Sequence, residues 1–392
     1  MIEPRRGPGG AAIEPSIDLD ELRRAVDSRA SASIALLRRL TDMDAPSGDA
    51  EALEPVARAL AAELERLGAP IVRHRSVAGT HLEGRLGPSE GPPILLLCHY
   101  DTVWPAGTAR RRPFRLDAGF AHGAGVFDMR GGLVAALGAL EALIAIGRLN
   151  RAVIVLLTAD EESGGSESRE LIIDRGRGAD FALVPEPSLP GGAMKTRRKG
   201  WGTYELRVSG RAAHAGLDPE RGVSAIDELV DQLTTVRRLA DPDLGTTVSC
   251  GVIDGGSQVN VIAASARALI DVRARAEDEQ ERVDAALLSL TSGVEGAAVT
   301  TNRLQWRPPM ERTPAIASAA ERARKLAAAL GIALEEGEAG GSSDGNHLAP
   351  LGVGVLDGLG PEGSGAHAED ERIDIDSLHE RTALIALLIA DL

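Results

Sequence analysis

Cysteine is almost absent. Cys98 and Cys250 are the two thiols in 392 residues, which excludes a disulfide-stapled scaffold and any cysteine-based zinc motif, and fits a reducing compartment. Aromatic residues are scarce as well, with three Trp, two Tyr and four Phe. Base-stacking platforms are therefore excluded, and the cores fall to Ala, Leu, Val and Ile. Positive charge is outweighed, 43 Lys and Arg standing against 58 Asp and Glu for a net charge of −15. That balance repels nucleic acid and anionic membrane surfaces. No apolar run reaches the roughly 18 residues of a membrane span, and the arginines of the opening MIEPRRGPGGAAIEPS precede no apolar stretch of the signal-peptide kind. The expectation is a cytoplasmic protein with no nucleic-acid or membrane partner and a disordered stretch over residues 1–16.

At roughly 100–200 residues per domain, a chain of this length makes about two. Apolar residues recur at helical spacing over 19–43 and 49–67, predicting two helices separated by DAPSGD. GPPILLLCHYD (91–101) is a short apolar run behind a Gly-Pro-Pro break, the mark of a buried strand. A helix over 130–147, a strand over 151–162, a helix over 166–176 and a strand over 179–187 follow. This alternation gives an α/β layer with a mostly parallel central sheet, whose functional residues gather at the carboxyl ends of its strands. From about 201 the order becomes strand, helix, strand, strand, helix, strand, which is the ferredoxin-like βαββαβ unit. After Pro308-Pro309, a helix over 314–330, the apolar VGVL at 353–356 and an amphipathic terminal helix return to α/β. The expected domains are a discontinuous one over 17–200 and 310–392, interrupted by a smaller one over 201–309.

The chemistry-bearing residues cluster at the predicted strand ends. His99 and Asp101 end the first strand on the same side of extended chain, so the carboxylate can orient the imidazole. Glu161 and Glu162 end the second and face opposite ways, one towards a metal and the other towards a water. Glu186 ends the third. Asp128 sits in GAGVFDMRGG ahead of a helix, as a ligand or as that helix's N-cap; the glycine order is not that of a dinucleotide fold. His214 in GRAAHAG and His367 in GSGAHAEDE occupy loops of small residues that leave space round an imidazole. His74, His81, His122, His347 and His379 read as ordinary histidines at the surface or behind a site. Cys98, at the end of an apolar strand, reads as a small buried hydrophobe.

CHYDTV, GAGVFDMRGG, TADEESGGSES, VPEPS, GRAAHAG, VNVIAASARALIDVR, GGSSDG and GAHAEDE, in this order, resemble the motifs of the aminoacylase/carboxypeptidase superfamily of co-catalytic zinc peptidases. That superfamily includes acetylornithine deacetylase, succinyl-diaminopimelate desuccinylase and the bacterial glutamate carboxypeptidases. The likeness spans residues 30–392, and VPEPS and HYDTVWPAGT are most similar to the last branch. The resemblance implies two Zn²⁺ per subunit, with Co²⁺ or Mn²⁺ as substitutes. His99 and Glu186 would ligate one ion, Glu162 and His367 the other, and Asp128 both. Carboxylates and imidazoles suit zinc, and two ions about 3.5–4 Å apart lower the pKa of a shared water towards 7.

It further implies that Glu161 is the general base and that Asp101 fixes the ligating tautomer of His99. His214 would act across a homodimer interface, formed by the lid/dimerisation domain 201–309, to stabilise an oxyanion. Asn260 would lie near that oxyanion and Arg273 would grip a substrate carboxylate, although Arg273 also reads as a plain strand-face arginine. GGSSDG stands where the family has a glycine-rich loop, with Ser343 and Gly345 departing from the usual wording. The implied activity is hydrolysis of an amide bond next to a free α-carboxylate, in an N-acyl amino acid or short peptide. An N-acyl-amino-acid deacylase or dipeptidase is the alternative enzyme reading, and a non-catalytic binding relative the alternative from another class.

Overall fold

The computed structural model describes residues 14–392; of the segment expected to be disordered, residues 1–13 lie outside it. The chain divides into two compact units. The first comprises residues up to Thr196 together with Thr313–Gly337 and Leu351–Leu392, and the second Arg197–Arg312 and Glu338–Pro350. The segment containing GGSSDG thus belongs with the smaller unit. The expected division had placed it with the rest of 310–392.

The first unit is built on an eight-stranded sheet in the order Ile71–Arg75, Thr80–Leu86, Val153–Thr158, Ile94–His99, Phe181–Val184, Gly354–Asp357, Met194–Arg198, Glu336–Ala339. Its four middle strands run parallel. Ile94–His99 and Val153–Thr158 are buried at every position, because helices cover both faces of a parallel sheet. Among those helices, Gly131–Ala145 and Ile375–Asp391 supply much of the leucine, isoleucine and alanine core. The register sets His99 beside Thr158 and Leu96 beside Leu183. Three strand ends therefore open on one edge.

The helix expected over 19–43 is two helices, Leu19–Asp27 and Ala30–Thr41. The first ends at its C-cap Ser28, whose hydroxyl donates to the Ala25 carbonyl at 2.8 Å. The helix Ala50–Arg66 follows. A small antiparallel sheet of short strands, Gly363–Ser364, Arg372–Asp374, Phe120–His122 and Arg115–Asp117, was not expected from the sequence.

The second unit has the βαββαβ order: Gly200–Ser209, Ala225–Arg237, Thr247–Gly255, Ser265–Ala274, Glu277–Leu288 and Ala298–Arg307. All neighbouring strands are antiparallel. Ser265–Ala274 alternates between covered and exposed positions, packing Ala268, Ile270 and Val272 against Leu229, Val283 and Leu287. No helix of the described residues is long and apolar enough to cross a membrane.

Candidate metal centre

The site begins with glycine. Gly125 has φ +69°, a left-handed conformation that a side chain disfavours, and it turns the chain into the segment Val126–Arg130. Gly132 lies so close to the Glu186 loop that a Cβ would meet the Pro185 carbonyl at 1.7 Å. Only glycine lets the start of the helix Gly131–Ala145 touch that loop. Asp128 itself is extended, φ −113° and ψ 99°, and the helix begins without a side-chain cap. The N-cap reading of Asp128 is thus corrected, and its carboxylate is left for the strand ends.

Two clusters result, His99, Asp128 and Glu186 forming one and Asp128, Glu162 and His367 the other. Asp128 gives one oxygen to each. Its Oδ1 lies 3.4 Å from His99 Nε2 and its Oδ2 3.3 Å from His367 Nε2. Glu186 Oε1 is 3.5 Å from His99 Nε2, and Glu162 Oε2 is 3.2 Å from His367 Nε2. Zinc bonds of about 2.0–2.1 Å in tetrahedral array separate ligand atoms by roughly 3.3–3.4 Å, which these spacings match. They sit at or beyond the long end of ordinary hydrogen bonds. His99 Nε2 and Glu162 Oε1 are buried with no hydrogen-bond partner, a loss of about 1–3 kcal/mol for an unpaired polar atom that a bound cation removes. The donor set fits a pair of divalent ions.

His99 Nδ1 faces the Asp101 carbonyl at 3.1 Å and its carboxylate at 3.4 Å, so the residue expected to orient the ring does so chiefly through its main chain. The carboxylate has a second task. Its oxygens accept the Glu161 amide at 3.2 Å and the Glu162 amide at 3.1 Å, fixing the turn that carries both glutamates. Glu161 is buried.

The electrostatics are those of a cluster built for cations. Burial opposes charge on His99, yet the Asp101, Asp128 and Glu186 carboxylates outweigh it and hold the imidazole well above its usual range. His367 is raised to about 10 by Asp128 and Glu162. Burial and then the Asp128 charge lift Glu162 to about 8, against the pull of His367. Asp128 is held low: burial raises it, and the two imidazoles dominate. At neutral pH the metal-free cluster therefore carries protons that ligation must expel. Zinc uptake at pH 7 is expected to release protons and to tighten as pH rises from 6 to 8. Calorimetry in buffers of different ionisation enthalpy reads both, and a pH-independent affinity with no proton release would contradict the cluster.

The second unit holds the other expected residues. His214 and Asn260 are exposed and adjacent, the Ala215 amide donating to the Asn260 carbonyl at 3.0 Å. His214 Nδ1 accepts the Gly216 and Leu217 amides, each at 3.1 Å, which leaves the ring proton on Nε2. Arg273 is half-buried and tethered: its Nε and Nη2 each donate to the Asp271 carboxylate at 3.0 Å, and its guanidinium lies 5.1 Å from the centre of the Trp201 ring. In GGSSDG, Asp344 pairs with Arg307 at 3.3 Å, both buried, and Ser343 caps the short turn that follows.

None of His74, His81, His122, His347 and His379 joins either cluster. Cys98 is buried and its thiol is pushed up by burial, which rules out an activated nucleophile. The sequence reading missed Glu371. Among the described residues its carboxylate accepts the Gly125, Phe127 and Asp128 amides and the Trp104 indole N–H. Burial pushes its carboxyl up, and these four donors favour the anion. Only its place in the same motif as His367 hinted at a role.

A shared aspartate between two imidazole-carboxylate clusters, at the carboxyl ends of a parallel sheet, sets this chain among metal-dependent hydrolases. The model of peptidase family M20/M25/M40 matches residues 95–391, and the chain belongs to that family. It is 30% identical over 399 residues to carboxypeptidase G2 of Pseudomonas sp. (strain RS-16), with 98% of this chain and 94% of the relative covered. It is 28% identical over 322 residues to succinyl-diaminopimelate desuccinylase of Stenotrophomonas maltophilia (strain R551-3), covering 76% and 84%. In fold it is similar to the aminopeptidase PepT of Bacillus cereus, with a TM-score of 0.74 at 20% identity over 92% of this chain and 98% of that one.

Proposed function

We propose that this hydrolase holds two Zn²⁺ ions and cuts an amide bond next to a free α-carboxylate, releasing an amino acid from an N-acyl amino acid or short peptide. The observation that carries the reading is Asp128 Oδ1 and Oδ2, each facing a different cluster. His99 and Glu186 would hold one ion, Glu162 and His367 the other, and Asp128 both. When bound, such a pair supplies Lewis acidity towards a carbonyl oxygen and lowers the pKa of water.

The chain's own groups do the rest. Glu161 takes a proton from the attacking water at its carboxylate and returns it to the leaving amine. Asp101 keeps Glu161 and Glu162 in register through their amides and keeps the His99 proton on Nδ1. His214 offers Nε2–H to the developing oxyanion, with Asn260 beside it, a contribution of about 3–4 kcal/mol at comparable sites. Arg273, anchored on Asp271 and Trp201, has Nη1 left to meet the substrate carboxylate.

The active species is a homodimer joined through the second unit. Thr247–Gly255 supports this as an edge strand, exposed almost throughout, with Val252 and Ile253 on the surface; such an edge invites pairing with another copy. His214 then serves the partner subunit's site. Mixing His214→Ala protein with Glu161→Gln protein is expected to regenerate activity that neither has alone. Failure despite heterodimer formation would remove His214 from that role.

The name of the carboxypeptidase relative favours release of a terminal amino acid, and that likeness covers nearly the whole chain. The desuccinylase relative supports a second reading, an N-acyl-amino-acid deacylase with the same groups. A non-catalytic relative would be expected to lack Glu161 or a ligand, and this chain has Glu161 and all five ligand candidates.

A further inference from the structure

Asp128 can serve two clusters only if its backbone is held in place, yet it lies in an irregular segment in which the Gly125, Phe127 and Asp128 amides turn to a side chain. We infer that Glu371 is the positioning residue of the metal centre, fastening the loop of Asp128 to the loop of His367. This rests on the two-metal reading and adds to it a residue that ligates nothing.

The Glu371 side chain is 1% exposed. Its Oε1 accepts the Phe127 amide at 2.9 Å and the Asp128 amide at 3.1 Å; its Oε2 accepts the Gly125 amide at 2.7 Å and Trp104 Nε1 at 3.1 Å. Four N–H donors converge on two oxygens. Only an anionic carboxylate has acceptor sites for all four and nothing to donate against them. Glutamine, of the same shape, would turn an NH₂ towards two N–H groups.

The His367 end is secured by the same assembly. Arg112 lies 4.5 Å from the centre of the Trp104 ring and donates through Nη2 to the carbonyls of Ala368 and Glu369. Trp104 thus ties the chain beside His367 to the carboxylate that holds Asp128. Arg130, also buried, secures the loop from the opposite polarity by donating to the Ala124 carbonyl at 3.2 Å and the Met43 carbonyl at 3.1 Å. Loss of one ligand would damage one cluster. Loss of this clamp lets the shared carboxylate drift and loosens both.

The test is Glu371→Gln in the full chain, titrated with Zn²⁺ against a competing chelator and with Co²⁺ followed by its visible spectrum, beside a melt of the metal-free protein. Zinc affinity is expected to fall about 10–100-fold, the range for groups that orient metal ligands, with an altered Co²⁺ spectrum. A merely structural role would lower the metal-free melting temperature and leave both metal readouts unchanged, and that result overturns the inference. Should Glu371→Gln fail to fold, Trp104→Phe decides, because it removes one donor and leaves the carboxylate. A several-fold loss of zinc affinity supports the clamp and an unchanged affinity overturns it. A wild-type chain that binds no Zn²⁺ would sink the metal centre itself, a different failure from a Glu371 variant that binds as the wild type does.

Discussion

Glu161→Gln is expected to lower turnover by about 10²–10⁴-fold, the usual contribution of a general acid-base group, while leaving metal content unchanged. Glutamine matches glutamate in size, so the buried turn and the Asp101 bonds to the Glu161 and Glu162 amides stay intact. What disappears is a carboxylate that can accept a proton and give it back. The neighbouring Glu162 cannot substitute, because its carboxylate is directed to His367 and Asp128. Steady-state kinetics with metal analysis of the same preparation separates the cases. Substantial residual hydrolysis would remove Glu161 as the base, and loss of metal would make it a ligand.

The two clusters were legible because their residues stand where apolar periodicity stops. His99 ends an unbroken apolar run, and Glu162 and Glu186 follow two more. A parallel sheet brings those ends to one edge whatever the intervening chain does. Asp128 was legible through its glycines, and the structure shows the reason in the close approach of Gly132 to Pro185. The second unit was legible because strands such as Ser265–Ala274 alternate along their length.

Glu371 was not legible, since it acts on backbone amides up to 246 positions away. Backbone recognition leaves no residue pattern at the other end. The same holds for the segment Glu338–Pro350. It is tied within its unit by Asn346 Nδ2, which donates to the Lys199 and Pro308 carbonyls, and by the Arg307–Asp344 pair. The edge strand Ile71–Arg75 escaped notice because IVRHR lacks a clean alternation. The break at Ser28 falls in a stretch whose helical spacing of apolar residues runs on across it.

Metal removal carries the second large effect. One cluster leaves His99 Nε2 with no protein hydrogen bond, and the two ions of the proposed reading would supply the Lewis acidity that the reaction needs. Stripped protein is expected to have no measurable turnover, and Zn²⁺ to restore it. The most direct test offers a panel of N-acyl amino acids and dipeptides to the stripped protein as zinc is added back, with the released amino acid read by mass spectrometry. Release is expected from substrates with a free α-carboxylate, absent without metal and complete at two zinc ions per chain. Hydrolysis that survives chelation, or no release from any member of the panel at full zinc occupancy, would contradict it.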